Sequence, residues 1–423
     1  MIERNGANGT ELPLAGVKVL DLTRLLPGGF CTLLLADLGA EVLKVEDTGP
    51  GDYLRWTPPL YDNGPQGASS AAFIGLNRNK SSLKVDLRKE EGKEVFLKLV
   101  ERFDVLIDSF RPGTLERLGL PYDLLREHNK GLIWCTISGF GQEGPLRDRA
   151  GHDINYLATC GLLALSGEQY GPPALSAGQI ADLGGGALLA CVAILAALRE
   201  RDGGNGKAGS GEGQRIDISM TDGALSWLTM VSASYLCDRK PRRRGGLELG
   251  GGLICYRVYR CADGYVALGA LEPKFWQSFC EAVGKGHLVS HQFDRPGSPA
   301  HRELEELFAT RTREEWARLG EERDCCLFPV LELEEALESD HVQERNLVIE
   351  QEQPGLERPV QVLGPPFKLS RTPPNPHRRP APGPGEQTEE VLAWLGYRSD
   401  QIAALQAAGV VVGASPTGAK AGS

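Results

Sequence analysis

The sequence predicts an α/β fold: a large, doubly wound domain built on a parallel sheet, together with a smaller α+β domain. Short apolar stretches typical of buried strands alternate with helical stretches through the first half of the chain. The first strand, helix and strand together occupy about 30 residues, which is the length of a right-handed crossover unit. A chain of 423 residues is also too long for one small core, which predicts two domains.

The elements of the large domain follow in a regular order. The apolar stretch 17–22 predicts the first strand, residues 27–29 (Pro-Gly-Gly) predict a turn, and residues 30–38 predict the first helix. This alternation continues, so each strand is expected to pair in parallel with a neighbour. Further strands are expected at 41–46, 83–87, 105–108, 132–138 and 214–220, and further helices at 89–101, 154–165, 185–198 and 221–235.

The composition changes after residue 237, where a basic, glycine-rich stretch predicts a linker. Residues 254–259 and 264–269 flank a turn and predict an antiparallel pair of strands, with helices at 273–283 and 302–319. A proline-rich stretch at 365–384 and two short helices, 386–395 and 399–408, return to the large domain. The predicted divisions are a disordered N-terminus 1–12, a large domain 13–237, a linker 238–252, a small domain 253–345, a return segment 346–412 and a flexible tail 413–423.

Composition narrows the class of function. The formal net charge of -10 argues against a broad surface for nucleic acid, and no run of about 18 uninterrupted apolar residues predicts a membrane span. The start of the chain, 1–12, is polar and resembles neither a secretory signal nor a transit peptide. The ten cysteines form no Cys-x-x-Cys pair and no zinc-ligand spacing, which predicts reduced thiols and no metal site. We therefore expect a cytoplasmic protein.

His152 is the first candidate catalytic residue. A lone histidine is more often a satisfied core or surface residue than a catalyst. This one follows Gly151 at the start of a predicted helix, where the positive end of the helix dipole favours the neutral imidazole. A neutral imidazole can accept a proton near pH 7, so His152 is a candidate general base.

Two aspartates are candidates for the same chemistry. Asp153 can be a first-turn or capping carboxylate, a nucleophile that forms an acyl anhydride, or a group that positions His152 or a substrate. Asp182 precedes three glycines and can be a helix cap, or a carboxylic acid that is shielded from water and therefore titrates nearer neutrality. In the second case the bare glycine backbone would let a ligand approach and offer N–H groups to an enolate oxygen.

Charged residues elsewhere suggest a bound anion and a further polar group. Arg111 follows the predicted strand 105–108, and in a doubly wound sheet ligands bind at the carboxyl ends of strands. It is therefore the best candidate for binding a phosphate, whereas most other arginines and lysines are expected to be solvated charges. Glu272 can be a simple first-turn residue before Pro273, or it can reach a catalytic centre from the other domain or another subunit.

Six short motifs lie between residues 14 and 156. They are Leu14-Ala15-Gly16-Val17-Lys18-Val19-Leu20-Asp21-Leu22, Ala36-Asp37-Leu38-Gly39-Ala40-Glu41-Val42, Asn77-Arg78-Asn79-Lys80, Phe110-Arg111-Pro112-Gly113, Ser138-Gly139-Phe140-Gly141 and Gly151-His152-Asp153-Ile154-Asn155-Tyr156. Together they resemble the family III CoA-transferases (CaiB/BaiF), over nearly the whole chain from about residue 12 to about residue 376. The last motif, around His152, is similar to the α-methylacyl-CoA racemase branch of that family.

The resemblance implies specific roles. Racemases of this branch use residues that match His152 and Asp182 as the two acid/base groups, and their additional polar residues match Asp153 and Glu272. In the transferases of the family, the residue that matches Asp153 is the acyl-carrying nucleophile. The family has an arginine just after the second strand, where this chain has Asp47. The contacts to CoA implied by the resemblance fall on Val85, Asp86, Leu87, Arg88, Ser109, Phe110, Arg111, Arg117, Gly151, Asn155 and Tyr156.

The implied fold is a Rossmann-like large domain built from N- and C-terminal parts of the chain, in an interlaced homodimer. The implied reaction is racemisation of a 2-methylacyl-CoA thioester, in lipid metabolism, by 1,1-proton transfer through an enolate. No metal or organic cofactor is expected, because the thioester already acidifies the α-carbon. Two alternatives stay open: transfer of CoA between carboxylic acids through an Asp153 anhydride, and a non-catalytic protein that binds acyl-CoA.

Overall fold

The structure is a computed structural model that describes residues 11–62, 64–204 and 206–414. The described part of the chain divides into two compact units: unit 1 lies within residues 11–156, 178–226 and 344–414, and unit 2 lies within residues 157–177 and 227–343. Residues 157–177 and 227–237, which the sequence placed in the large domain, therefore belong to unit 2. The disorder predicted before residue 11 and after residue 414 lies outside the described residues.

The strands are short, and most of them belong to unit 1. Several begin with a polar residue and continue with buried apolar ones, as in β1 and β2. In chain order they are β1 (Lys18–Asp21), β2 (Glu41–Glu46), β3 (Lys80–Val85), β4 (Val105–Asp108), β5 (Ile133–Ser138), β6 (Gly203–Gly204), β7 (Lys207–Ala208), β8 (Arg215–Ser219), β9 (Tyr256–Arg260), β10 (Tyr265–Gly269), β11 (Leu327–Pro329), β12 (Val348–Gln351), β13 (Val360–Leu363) and β14 (Val411–Val412).

The helices alternate with these strands along the chain. Short 3₁₀ helices occur at Tyr53–Trp56, Glu248–Gly250 and Gly286–His291, and a π-helix at Ile180–Leu188. The α-helices are α1 (Leu25–Asp37), α2 (Ala71–Asn77), α3 (Glu90–Val100), α4 (Thr114–Arg117), α5 (Tyr122–His128), α6 (Asp153–Thr159), α7 (Leu162–Leu165), α8 (Leu189–Asp202), α9 (Met220–Ser226), α10 (Thr229–Asp238), α11 (Pro273–Ala282), α12 (Pro299–Phe308), α13 (Arg313–Arg323), α14 (Leu333–Glu338), α15 (Asp340–Glu344), α16 (Thr388–Trp394) and α17 (Ser399–Ala407).

Unit 1 is built on a seven-stranded sheet with the order β14-β3-β2-β1-β4-β5-β8. All neighbouring pairs are parallel except β14 with β3, so the predicted α/β class with a large parallel sheet is confirmed. The strand order reverses between β1 and β4, since the chain first adds β2 and β3 on one side and then β4 and β5 on the other. Such a reversal opens a crevice at the carboxyl ends of the strands.

The first helix differs from the prediction. Residues 27–29 do not form a turn before it but lie inside the first turns of α1, which begins at Leu25. Proline is tolerated in the first turn of a helix, because its missing N–H would have no partner there. Leu25 itself has a left-handed φ of +63° and its N–H donates to Asp52 Oδ1 at 3.2 Å. The connection between β1 and α1 is therefore tightly bent and fixed.

Two lysines expected to be solvated are instead buried. Strand β3 begins at Lys80 rather than at residue 83, and the side chains of Lys80 and Lys44 are fully buried. Lys80 lies 3.4 Å from Asp21 Oδ2, and Lys44 lies 2.9 Å from Asp52 Oδ2. These ion pairs lie beneath the connection between β1 and α1, to which Lys44 also donates a hydrogen bond at Thr23 O.

Helix boundaries were predicted less well than strands. The π-helix continues into α8, and the joined helix Ile180–Asp202 is long and apolar enough to cross a membrane by length and composition alone. The core helix of a soluble protein passes the same test, and half of its most apolar stretch is buried, with packing against α1 and α9. The helix predicted at 221–235 is divided into α9 and α10.

Unit 2 contains a three-stranded antiparallel sheet with the order β11-β10-β9. The predicted pairing of β9 with β10 is confirmed. Trp276, Phe279 and Phe308 are fully buried on one face of this sheet, where α11, α12 and α13 contribute to a separate core. The single helix predicted at 302–319 is divided because Thr312 starts α13 with a capping box that involves Glu315.

Candidate active site

A cavity of about 470 Å³ lies at the carboxyl ends of β1, β4 and β5, where the strand order of the sheet reverses. This is the position at which doubly wound sheets bind ligands. Another cavity of unit 1, of about 330 Å³, lies at the amino ends of β1 and β2, and none of the predicted site residues lines it. The first cavity is lined by Arg24, Leu25, Pro27, Ser109, Phe110, Arg111, Pro112, Ile137, Ser138, Gly139, Arg147, Arg149, Ala150, Gly151, His152, Asn155, Tyr156, Asp182 and Met220.

His152 and Asp182 both line this cavity. His152 is exposed and immediately precedes α6, and its N–H donates to Asn155 Oδ1 at 3.0 Å. Asp182 is half-buried in the first turn of the π-helix. The two groups come from segments that are thirty residues apart in sequence, and the sheet brings both to one crevice.

Asp153 holds the start of the helix that carries Asp182. Its Oδ1 accepts hydrogen bonds from the N–H groups of Ala181 at 2.7 Å and Asp182 at 3.0 Å. The first N–H groups of a helix have no partner within that helix, so a carboxylate at this position satisfies them and complements the helix dipole. Asp153 therefore acts as a cap, but for the helix that begins at Ile180 rather than for its own.

The environment of Asp182 favours a protonated carboxylic acid. Burial and the nearby negative charge of Asp153 together raise its pKa to about 6, against the opposing charge of His152. Desolvation and a like charge both disfavour the ionised form. This confirms the predicted shift toward neutrality, and it allows Asp182 to exchange a proton near physiological pH.

Tyr156 forms a wall of the site because two glycines leave room for its ring. A Cβ atom on Gly139 would lie 2.4 Å from Tyr156 Cε1, and one on Gly151 would lie 2.7 Å from the same atom. The Tyr156 hydroxyl donates to the carbonyl oxygen of Gly151. Burial, with the charges of Asp182 and Asp153, raises the pKa of Tyr156 to about 12, so this hydroxyl stays protonated at neutral pH.

The glycines after Asp182 have a different role from the predicted one. A Cβ atom on Gly185 would lie 2.7 Å from the carbonyl oxygen of Met220, and one on Gly223 would lie 2.2 Å from that of Gly185. Glycine at these positions lets the π-helix and α9 touch backbone to backbone. The prediction that a ligand approaches the glycine run is therefore wrong at Gly185, and the N–H groups of Ala181 and Asp182 are engaged by Asp153.

The residues predicted to bind CoA fall into two groups. Ser109, Phe110, Arg111, Gly151, Asn155 and Tyr156 line the cavity. The others do not line it: Val85 ends β3 at the same edge of the sheet, Asp86, Leu87 and Arg88 follow it, and Arg117 ends α4.

Arg88 and Arg117 form hydrogen bonds to neighbouring residues, and Glu272 lies in the other unit. Arg88 is exposed, and its guanidinium donates to both carboxylate oxygens of Asp86, at 2.8 and 2.9 Å. Arg117 donates to Thr114 Oγ1 at 2.9 Å and to the carbonyl oxygen of Pro112 at 3.3 Å. Glu272 belongs to unit 2, where it occupies the N-cap position of α11.

Sequence analysis missed four residues that line the cavity with polar or charged side chains: Arg24, Ser138, Arg147 and Arg149. Arg24 follows β1 and Ser138 ends β5, so the rule that ligands bind at the carboxyl ends of strands would have found both. Among the described residues, Ser138 Oγ and Arg147 Nε are buried and have no hydrogen-bond partner. Buried polar atoms without partners are uncommon, and at a cavity wall they indicate a polar ligand.

Comparisons with known proteins agree with the resemblance in the sequence. The model of CoA-transferase family III matches residues 14–388. An alpha-methylacyl-CoA racemase from Mus musculus is 35% identical over 94% of this chain and 97% of the mouse protein. A succinyl-CoA:mesaconate CoA-transferase from Haloarcula hispanica is also 35% identical, over 90% of this chain and 96% of the archaeal protein. The crystal structure of a CAIB/BAIF family protein from Brucella suis superimposes with a TM-score of 0.77, at 29% identity, over 91% of this chain and all of the other.

Proposed function

The chain belongs to CoA-transferase family III, and from that premise we propose that it racemises 2-methylacyl-CoA thioesters at the α-carbon. The family includes racemases and CoA-transferases, so membership alone does not select the reaction. The observation that carries the proposal is the pairing of His152 with Asp182 in one cavity, with the pKa of Asp182 raised to about 6. Two acid/base groups that reach one carbon from opposite sides are what a two-base racemase requires.

The proposed reaction moves one proton between the two faces of the α-carbon. One of the two groups breaks the C–H bond by accepting the proton, and the electron pair enters the thioester as an enolate. The other group then donates its proton to the opposite face, which restores the thioester and inverts the centre. The thioester acidifies the carbon by itself, so we propose no metal or organic cofactor.

The enolate oxygen needs a hydrogen-bond donor while it carries charge. The glycine run is packed against α9, so the donor must come from elsewhere in the lining. Ser138 ends β5 with a buried Oγ that has no partner among the described residues. We assign the Ser138 hydroxyl to this role, and Asp153 to holding Asp182 in place through the backbone of Ala181 and Asp182.

CoA transfer through Asp153 is the second candidate function. Its support is the transferase names of several relatives and the position of Asp153 beside His152 at the cavity. In that reaction Asp153 attacks the thioester carbonyl, CoA leaves as a thiolate and an acyl anhydride forms. The thiolate then attacks the Asp153 carbonyl and releases the first acid, and the acceptor acid takes CoA from the Asp153 thioester by the reverse steps. One Asp153 oxygen already accepts two backbone hydrogen bonds, which lowers its nucleophilicity and favours the positioning role.

Deuterium exchange separates the two functions. A single enantiomer of a 2-methylacyl-CoA is incubated with the enzyme in deuterium oxide, and its mass and enantiomer ratio are followed. Racemisation incorporates one deuteron at the α-carbon without any acceptor acid. Transfer of CoA requires a second carboxylic acid and follows ping-pong kinetics. The racemase proposal is wrong if deuterium enters the thioester only when an acceptor acid is supplied and CoA is transferred to that acid.

The variant His152→Ala tests the assigned pair. It should abolish exchange of one enantiomer's α-proton while leaving binding of the CoA thioester largely intact, because only one of two bases is lost. A suitable control is His128→Ala, which removes a histidine that pairs with Glu101 and does not line the cavity, and which should leave exchange unchanged. Normal racemisation by His152→Ala would refute the assignment.

We also propose a homodimer, and specifically the interlaced dimer that the family resemblance implies. In unit 1, Leu188, Val192 and Leu195 of the joined π-helix and α8 are exposed. In unit 2, α10 buries none of its residues although Met230 and Leu236 are apolar. Exposed apolar patches of this kind mark protein–protein interfaces. Light scattering should give twice the mass of the 45.7 kDa chain, and a monomer would contradict the proposal.

A further inference from the structure

Arg24 is a cavity residue that the proposed proton transfer does not use. It lies between β1 and α1, lines the same cavity as His152 and Asp182, and has a side chain that is 31% exposed. Its guanidinium donates to Asp47 Oδ2 and, at 3.2 Å, to the Tyr53 hydroxyl. Within the part of the chain that the structure describes, these contacts engage two of the five N–H donors of an arginine side chain.

The contacts around Arg24 fix the direction of its side chain. Asp47, its ion-pair partner, is itself held by the N–H groups of Gly49 at 2.7 Å and Gly51 at 3.4 Å. The Arg24 guanidinium carbon lies 5.3 Å from the centre of the Tyr53 ring. The backbone N–H of Arg24 donates to Ser109 Oγ at 3.1 Å. A guanidinium held in this way loses little conformational entropy when it binds a carboxylate in a bidentate manner.

The charges that line the cavity favour an anionic ligand. Arg24, Arg111, Arg147 and Arg149 contribute four positive charges, and Asp182 is the acidic side chain in the lining. The phosphates of CoA can account for part of this excess, since the resemblance places CoA contacts on the Ser109–Arg111 segment after β4. Arg24 lies after β1 on the other side of the strand reversal, so a second anionic group is expected near it.

We infer that Arg24 binds a carboxylate on the acyl part of the substrate. The preferred substrates are then CoA thioesters of 2-methyl dicarboxylic acids rather than of simple branched fatty acids. This inference rests on the proposed acyl-CoA site, and it names the substrate class that the site selects. A planar carboxylate and a fixed guanidinium match in geometry, whereas an apolar chain end would desolvate the Arg24 N–H donors that Asp47 and Tyr53 do not engage, without replacing their hydrogen bonds.

Two thioesters of matched size test the inference. The first is 2-methylbutanoyl-CoA, and the second is 2-methylsuccinyl-CoA, in which a carboxylate replaces the terminal methyl group of the first. The α-deuteron exchange rates give kcat/KM for both substrates with the wild type and with Arg24→Gln. The ratio of the two values within one protein is insensitive to partial misfolding, because the active fraction cancels.

The wild type should prefer the carboxylated thioester by about tenfold or more, the range of one charge-assisted hydrogen-bonded pair. Arg24→Gln should bring the ratio close to one by raising KM for the carboxylated substrate alone, and Arg24→Lys should keep part of the preference. The control Arg111→Gln, which changes an arginine on the CoA side, should lower kcat/KM for both substrates by the same factor.

Two results would overturn the inference: a wild type without preference for the carboxylated thioester, or an Arg24→Gln variant that weakens both substrates equally. The second result would assign Arg24 to the CoA part. If neither thioester exchanges, the proposed racemisation fails. The dissociation constants of both thioesters, measured by calorimetry with each variant, then decide the inference through the same ratio.

Discussion

Two groups of charged residues in unit 1 differ in burial and in hydrogen bonding. The first, which we call the buried charge cluster, lies under β1, β2 and β3 and comprises Asp21, Lys44, Glu46, Asp52, Arg55 and Lys80. The second comprises His152 and Asp182, which line the cavity, and Asp153, which caps the helix that carries Asp182, and all three are exposed or half-buried. The buried charge cluster keeps each charge paired, whereas the cavity places two carboxylates near one another and near a single histidine.

The effect of pairing is seen in the pKa values of two carboxyl groups, which shift in opposite directions. Burial alone would raise the pKa of Glu46, but the hydrogen bonds and charge of Arg55, with the charge of Lys44, lower it to about 2. Burial and the charge of Asp153 raise the pKa of Asp182 to about 6, and the charge that opposes this shift is that of His152 rather than that of an arginine or lysine. The same desolvation therefore accompanies an ionised, paired carboxylate in one region and a carboxyl group with a raised pKa in the other, as the proposed acid/base role of Asp182 requires.

The two regions are physically linked. Lys44 donates to the carbonyl oxygen of Thr23, and Asp52 accepts the N–H of Leu25, so the buried charge cluster fixes the residues on both sides of Arg24. The left-handed φ of Leu25, at +63°, is an unfavourable conformation that these contacts maintain. The cluster thus supports one wall of the cavity without taking part in proton transfer.

The largest expected effect is on catalysis. Asp182→Asn removes one of the two acid/base groups, and exchange of the α-proton should fall by about 10²- to 10⁴-fold. The measurement is deuteron incorporation into a 2-methylacyl-CoA at pH 7. Asp222→Asn, which changes an exposed first-turn aspartate of α9, is the matched control and should keep wild-type exchange. Exchange by Asp182→Asn at a tenth of the wild-type rate or more would remove Asp182 from the mechanism.

Breaking the buried charge cluster should act on stability. Glu46→Gln leaves the guanidinium of Arg55, which is fully buried, without its charged partner. We expect the free energy of unfolding to fall by about 3–5 kcal/mol, measured by denaturant titration. The control is Glu212→Gln, which breaks an exposed pair with Arg126 and should cost about 1 kcal/mol or less. Equal losses in the two variants would show that the cluster is not structurally important.

Acid should weaken the buried charge cluster in a defined pH range. The pKa of Glu46 is about 2 in the folded protein and 4.5 ordinarily, so the unfolded state binds more protons between these values. The stabilisation is complete above pH 4.5 and is lost as the pH falls toward 2, on the order of 3 kcal/mol in total. The difference in unfolding free energy between the wild type and Glu46→Gln should therefore shrink from pH 5 to pH 3. A constant difference would contradict the shift.

Part of the fold and of the candidate site was predictable from the sequence. The alternation of strands with helices predicted the parallel sheet, because strands such as β4 and β5 are mostly apolar and are buried along their whole length. His152 and Asp182 were singled out by their positions at apparent helix starts and by family resemblance. Their shared cavity follows from the strand order, which places both segments at the carboxyl edge of the sheet.

The rest depended on partners that are distant in sequence. Lys80 has the sequence appearance of a solvated charge, and only the fold brings it to Asp21, fifty-nine residues earlier. Asp153 could be read as a cap for its own helix, whereas it caps the helix that begins at Ile180. A single sequence shows the capacity of a side chain to pair but not the partner, and this limit affected the charged residues more than the apolar ones.

The smallest expected effect is a stabilisation, and its sign sharpens the comparison. The pKa of Asp182 rises from 3.8 to about 6 on folding, so the folded state binds more protons than the unfolded state between these values. Ionised Asp182 therefore destabilises the fold, increasingly from pH 3.8 to pH 6. Asp182→Asn should be more stable than the wild type by about 1–2 kcal/mol at pH 7, a figure reduced because the group is partly solvated.

That stabilisation should disappear near pH 3, where Asp182 is neutral in both states, and melting temperatures at pH 3 and pH 7 test it. An Asp182→Asn variant that is less stable at pH 7, or equally more stable at both pH values, would exclude a destabilising charge at this position. The expected outcome is opposite in sign to that of Glu46→Gln, although both changes replace a carboxylate by an amide. A carboxylate that lowers stability and yet is required for exchange is retained for its chemistry, which is how a catalytic group differs from a structural one within the same sheet.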